Sequence, residues 1–138
     1  MKKLVLVFLM MPFTLNAQTT TPPKGTNTII IHGNISIDVV VKNLKERGYR
    51  VANDGYGGIT TIPKVLENHG WLQMNVDVKD TTVSISGLFG ETTAYRVITP
   101  ELLKNKETYG GHFLGGAMNI LIDFANSLHG NSFEFKTF

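Results

Sequence analysis

The sequence predicts an α+β fold: a single antiparallel sheet with two main helices packed on one face, in the order β-α-β-β-β-β-α. Three features predict it. The run WLQMNVDVKD alternates apolar and polar residues, the pattern of a half-buried strand with one wet face. Two segments, 34–48 and 117–130, repeat apolar residues at three- and four-residue spacing. Between them lie β-branched runs bounded by Gly, Pro, Asn and Asp.

Residues 1–17 read as a signal peptide outside the domain. A basic start, Met1-Lys2-Lys3, precedes the apolar run LVLVFLMMPFTL, and Ala17 offers a small residue for cleavage with Leu15 two positions before it. The run is shorter than the roughly 20 apolar residues a membrane-spanning helix needs. Residues 18–27, QTTTPPKGTN, are polar and proline-containing, which predicts a flexible or extended lead-in. The domain is expected over 28–138.

TIIIHG (28–33) is β-branched and ends at a glycine, so it reads as a strand. In NISIDVVVKNLKERG, Ile37, Val40, Val41 and Leu44 fall on one helical stripe. Ser36 is placed to cap the first turn, Asp38 lies near the positive end of the helix dipole, and Gly48 suits the left-handed position after the last turn. Three adjacent valines are poor helix formers, so tertiary packing must hold this helix. YRVAN and ITTIP then read as the arms of a β-hairpin around DGYGG, where Asp54-Gly55 is a turn dipeptide and Gly57 and Gly58 allow positive φ. PKVLENHG reads as a connector with one helical turn.

In WLQMNVDVKD, Leu72, Met74, Val76 and Val78 share one face, and Trp71, Gln73, Asn75, Asp77 and Lys79 share the other. TTVSISGLFGE pairs back through a turn at Asp80-Thr81, with Val83 and Ile85 inward. The sheet is expected to continue through Val97, and Thr99 with Pro100 is expected to open a short helix. YGGHFLGG reads as a glycine-rich approach to the second helix. There Met118, Leu121, Ile122, Ala125 and Leu128 form the apolar stripe, widened by Ile120 and Phe124. Asn119, Asp123 and Asn126 mark its wet side, and Gly130 is expected to end it. SFEFKTF closes the chain as an edge strand with Phe133 and Phe135 inward.

The stretch from IDVVVKNLKERGYRVANDGYGGITTIP into NVDVKDTTVSISG resembles the small α+β modules of exported Gram-negative proteins with a TATA-binding-protein-like fold. Domains of the BamC lipoproteins and several families of unknown function are of this kind. The likeness rests on a helix followed by Gly48-Tyr49, Val51, a turn, then Gly58, Ile59 and Thr61. It implies a non-enzymatic module and carries no catalytic residues. The lipid-bearing cysteine of such lipoproteins is absent.

Composition removes several functions. With Lys2 and Lys3 cleaved, the 13 basic residues fall to 11, matching the 11 acidic ones, so the concentrated positive surface that nucleic acid needs is lacking. The cysteine count is 0, which excludes disulfides, thiolate zinc sites, cysteine nucleophiles and a lipid anchor on cysteine. Charged residues make up 17% and hydrophobic residues 42%, a globular balance.

No catalytic residue, cofactor or metal is predicted. His32, His69, His112 and His129 fall in no metal-binding spacing, and Ser84, Ser86, Ser127 and Ser132 lie in no nucleophile elbow. Asp77, Asp80 and Glu91 read as solvated charges rather than a glycosidase pair. What remains is a set of binding candidates: Tyr56 at the hairpin tip, Trp71, Gln73 and Asn75 on the exposed strand face, and His112 in the glycine-rich segment. The expectation is a periplasmic or secreted binding module of unknown ligand, using an open sheet face or an edge strand. Its partner would be a protein, a peptide or a glycan of the cell envelope, with no nucleic acid and no membrane anchor after cleavage; a homodimer is a further possibility. The alternative is a small hydrolase with a site near His112.

Overall fold

The computed structural model describes residues 22–23, 25–53, 58–66, 70–93, 96–97, 101–102 and 112–138. The strands are β1 (Thr28–His32), β2 (Val51–Asn53), β3 (Gly58–Thr61), β4 (Lys64–Val65), β5 (Gly70–Lys79), β6 (Thr82–Thr93), β7 (Arg96–Val97), β8 (Glu101–Leu102) and β9 (Ser132–Lys136). Helix α1 (Ile37–Glu46) follows β1, and α2 (His112–Ser127) precedes β9. The main path of the sheet runs β2-β3-β5-β6-β1-β9, and every pairing along it is antiparallel. The chain therefore has an α+β fold with one open antiparallel sheet and two helices.

Period-two alternation sorts the strands into two faces. Ile29 and Ile31 of β1, Ile59 of β3, Leu72, Met74 and Val76 of β5, and Val83, Ile85 and Phe89 of β6 are all buried. They join Val40 and Leu44 of α1, Ala117, Met118, Leu121, Phe124 and Ala125 of α2, and Leu128 just after it in one core. Both helices thus cover the same face. Burying each larger aliphatic or aromatic side chain contributes roughly 1.5–3 kcal/mol. Helix α2, with Met118, Leu121 and Phe124 all enclosed, therefore holds the sheet most strongly.

The ends of α1 explain its position. Ser36 Oγ accepts a hydrogen bond from Val39 N, and Asp38 lies in the first turn. Buried Ile35 precedes the cap and buried Val40 follows four residues after it, the spacing of a hydrophobic staple. At the other end Gly48 N donates to Lys45 O (2.9 Å), Tyr49 N donates to Leu44 O (3.0 Å), and Gly48 has φ +78°. That is the Schellman pairing, and both Leu44 and Tyr49 enter the core. Ile37, expected on the apolar stripe, is exposed at 44%. It belongs to the first turn of α1, and Ile35, just before the cap, is in the core instead.

The hairpin of β2 and β3 forms as expected, with Val51 opposite Thr61 and Asn53 opposite Ile59. The turn between β5 and β6 lies at Asp80-Thr81, with Asp80 at φ 41°. Other expectations need correction. Lys64–Val65 forms no helical turn but pairs with β5, because Pro63 disfavours helix for Ile62 and the following residues meet a free strand edge. Glu101–Leu102 does not open a helix either; it pairs with Phe89 and Leu88 of β6, while Thr99 and Pro100 lie outside the described residues. The second Gly-Gly pair, Gly115-Gly116, is inside α2 rather than ahead of it. Gly130 does not terminate α2 by its backbone. His129 takes the left-handed conformation (φ 51°), and Gly130 instead lets the chain pass against Ile31 of β1.

The end of the lead-in is joined to the end of the domain. Asn27 is fully buried, and its amide donates to Phe138 O (2.8 Å) and accepts from Phe138 N (3.1 Å). Asn27 N donates to Lys136 O (3.0 Å), and Thr137 Oγ1 donates to Gly25 O (2.9 Å). These bonds extend the pairing of β1 with β9 beyond the strand limits and satisfy an amide that burial would otherwise penalise.

Candidate functional site

The outer face of the sheet, opposite the helices, is mostly polar where β3, β5 and β6 lie side by side. Register places its side chains in cross-strand rows. One row is Thr60 of β3, Asn75 of β5, Ser86 of β6 and Thr28 of β1. The next is Gly58, Asp77, Ser84 and Ile30 in the same strand order. Neighbouring strands lie about 4.8 Å apart, and successive same-face residues on one strand about 6.8 Å apart, which sets the grid of these groups.

A hollow of about 550 Å³ opens over this grid, lined by Gly58, Thr60, Asn75, Asp77, Ser84 and Ser86, with Lys79 on its rim. Its depth follows from side-chain size. Gly58 has no side chain, and serine is the smallest residue that still presents a hydroxyl. At 84 and 86 a strand would favour a β-branched residue, so the two serines keep the floor low while weakening strand propensity. Thr60, Asn75, Ser84 and Ser86 make no side-chain hydrogen bond among the described residues. Lys79 Nζ pairs with Asp77 Oδ2 at 3.0 Å, and both side chains are substantially exposed. Such a surface pair contributes little to stability, but it nearly cancels the charge at this end of the hollow.

Across β1 and β9, His32 Nε2 lies 3.3 Å from Glu134 Oε2, and Lys136 Nζ lies 3.2 Å from Glu134 Oε1. Hydrogen bonds from Lys136 first, then from His32, hold the Glu134 carboxyl below its ordinary range. On the inner face, burial raises the Tyr49 phenol above its ordinary value, partly opposed by Arg47. Lys64 Nζ sits 4.8 Å above the Tyr49 ring and donates to Arg47 O (2.8 Å).

Of the five binding candidates, Asn75 lies in the hollow and Gln73 lies one row beyond it on the same face. Trp71 shares that face by register but is not exposed. It is 4% accessible, stacked over Gly90, its direct partner on β6. A methyl on Gly90 would stand 2.6 Å from the indole Cε2 and Nε1, so the glycine is what admits the ring. Trp71 Nε1 is buried with no hydrogen-bond partner among the described residues. The aromatic expected on an exposed face is therefore buried, with its ring packed on Gly90. Tyr56 lies outside the described residues. His112 is the first residue of α2, and its side chain lies outside the described residues too. Thr60, Ser84 and Ser86 join the site without having been expected in it. Their signal is the alternation of TVSISG, where small hydroxyl residues occupy two successive outward positions of a central strand.

Among the described residues, no group of His, Asp and Glu side chains could hold a metal ion, and no helix is long and apolar enough to cross a membrane. No protein-family model, curated protein or solved structure matches this chain.

Proposed function

We propose that this chain is an exported, non-enzymatic binding module whose contact surface is the open end of the outer sheet face. The hollow carries the reading: Thr60, Asn75, Ser84 and Ser86 present hydroxyl and amide groups that have no side-chain partner among the described residues, on strands held from below by the core. Rigid strands hold such groups in place with little entropy left to lose on binding. Export is inferred from the leader-like start of the sequence, which places the partner in the periplasm or outside the cell. The helix–hairpin passage from Ile37 to Thr61 supports the finer assignment to the TATA-binding-protein-like, BamC-domain-like modules, and a binding role agrees with it.

Photo-crosslinking in intact cells tests the surface. A benzophenone amino acid at Ser86 is expected to form adducts, and the same group at Asn119, on the wet side of α2, is expected to form few. Adducts from Asn119 that equal or exceed those from Ser86 would remove the outer face as the contact surface.

A further inference from the structure

We propose that the hollow on the outer face binds an extended, uncharged oligosaccharide lying across the strands. This rests on the reading of that face as the contact surface and names the chemical class it takes.

The lining excludes the main competitors in turn. An apolar ligand finds little to pack on there, since Ile59 and Val76 turn their side chains into the core and half-buried Ile30 stands one strand beyond the lining. A phosphate or other anion would meet the Asp77 carboxylate, while the cation on the rim, Lys79, is already paired with it at 3.0 Å. An added peptide strand needs a free main-chain edge. Here β3 is paired by β2 and β5, β5 by β3 and β6, and β6 by β5 and β1, so the floor offers none.

The spacing also separates the classes. An extended peptide repeats its same-face groups about every 6.8 Å, out of step with strands about 4.8 Å apart. A pyranose ring is close to one strand spacing in length. A chain of such rings running across β3, β5 and β6 therefore brings one sugar hydroxyl set over each of Thr60, Asn75 and Ser86. The parallel row supplies Asp77 and Ser84 on one flank. Hydroxyls both donate and accept, an amide does both at fixed ends, and a carboxylate accepts from two neighbouring hydroxyls. That set matches a polyol. The hydroxyl-bearing floor supplies specificity through unpaired polar groups, which a ligand lacking hydroxyls leaves unsatisfied.

The experiment is a titration of the isotope-labelled protein by two-dimensional amide NMR with four probes: cellotetraose and chitotetraose, which are extended, maltotetraose, which coils, and a neutral polar hexapeptide. The expected result is saturable shifts at Gly58, Thr60, Asn75, Asp77, Ser84 and Ser86 with an extended tetrasaccharide, and weaker or no shifts there with maltotetraose. The Ser84→Val/Ser86→Val variant fills the floor and removes two hydroxyls while favouring strand, and its spectrum away from the hollow reports that it is folded. It is expected to bind at least about tenfold more weakly, as loss of two modest hydrogen bonds implies. Unchanged affinity in that folded variant, or no shift at these amides with either extended sugar, overturns the proposal. Saturation by the hexapeptide at the same amides overturns the saccharide class and leaves the contact face standing. Silence from all four probes, together with crosslinks from Asn119 alone, overturns both.

Discussion

Replacing Gly130 by alanine is expected to be the most damaging single-methyl change in the described part of the molecule. Gly130 is not one of the positive-φ glycines, so its backbone alone does not demand glycine. Space does. A Cβ there would collide with Cγ2 of Ile31 and stand 3.1 Å from His32 O. Ile31 is fully buried within β1, between β6 and β9, and cannot yield without moving the sheet. The next residue donates the bond Asn131 N to His32 O at 2.7 Å, which a shift of Gly130 would stretch. Overpacking costs roughly 1–3 kcal/mol, and a weakened backbone bond adds about 0.5–1.5 kcal/mol. A total of about 2–4 kcal/mol follows, which at about 4 °C per kcal/mol lowers Tm by about 8–16 °C. Urea unfolding monitored through Trp71, the chain's 1 tryptophan, reads this as a lower midpoint with an unchanged slope. Ile31→Ala removes the colliding methyl but leaves a cavity costing about 2–5 kcal/mol alone. In the double variant the two losses should therefore sum to less than their separate values, by about 1–3 kcal/mol. A loss below about 0.5 kcal/mol for Gly130→Ala, or strict additivity with Ile31→Ala, refutes the steric account.

Two further outcomes are expected. Gly116 sits inside α2, and a methyl added there would have nothing within 4 Å. Gly116→Ala should therefore stabilise by about 0.5–1 kcal/mol, read as a raised urea midpoint; a lowered midpoint contradicts the helical placement. Tyr49 has its phenol raised above 10.0 by burial, so its contribution is fully present below about pH 10 and is lost as pH rises through the folded value. Tyr49→Phe should therefore lose less stability than the parent between neutral and strongly alkaline pH, and an identical alkaline loss in both proteins would exclude Tyr49 as the cause.

The core is legible in the sequence because its signals are local. Ser36, Gly48 and the Val40–Leu44 stripe determine α1 within a few residues of themselves, and the alternation of β5 assigns Leu72, Met74 and Val76 inward without reference to any partner. The errors fall where a neighbour decides. Ile37 has the spacing of a core residue, but it is exposed and Ile35 enters the core instead. Lys64–Val65 is too short to show a period of its own, and its pairing with Leu72 and Trp71 is what makes it a strand. Trp71 shows the same dependence most clearly. Its register is polar-facing by period two, and only the absence of a side chain at Gly90, on the next strand, lets the ring lie down and become buried. Alternation along one strand cannot report the size of the residue opposite.

That dependence on cross-strand partners also locates the hollow. Along β5 the outer face passes from Trp71 to Asp77, and along β6 from Gly90 back to Ser84. At the first end the large ring lies over the glycine, and the face is filled from within the molecule. At the second end Asn75 and Asp77 stand opposite Ser86 and Ser84, with Thr60 and Gly58 on the far side, and the hollow opens above them. Had Ser84 and Ser86 been threonine or valine, strand propensity would rise and the hollow would shrink. Had they been alanine, it would keep its depth but lose its donors and acceptors. Serine keeps both depth and hydrogen-bonding capacity, the two properties that the proposed ligand would use. Trp71 differs in the same terms: its ring is buried against Gly90, whereas Asn75, Ser84 and Ser86 beside it carry amide and hydroxyl groups with no side-chain partner among the described residues.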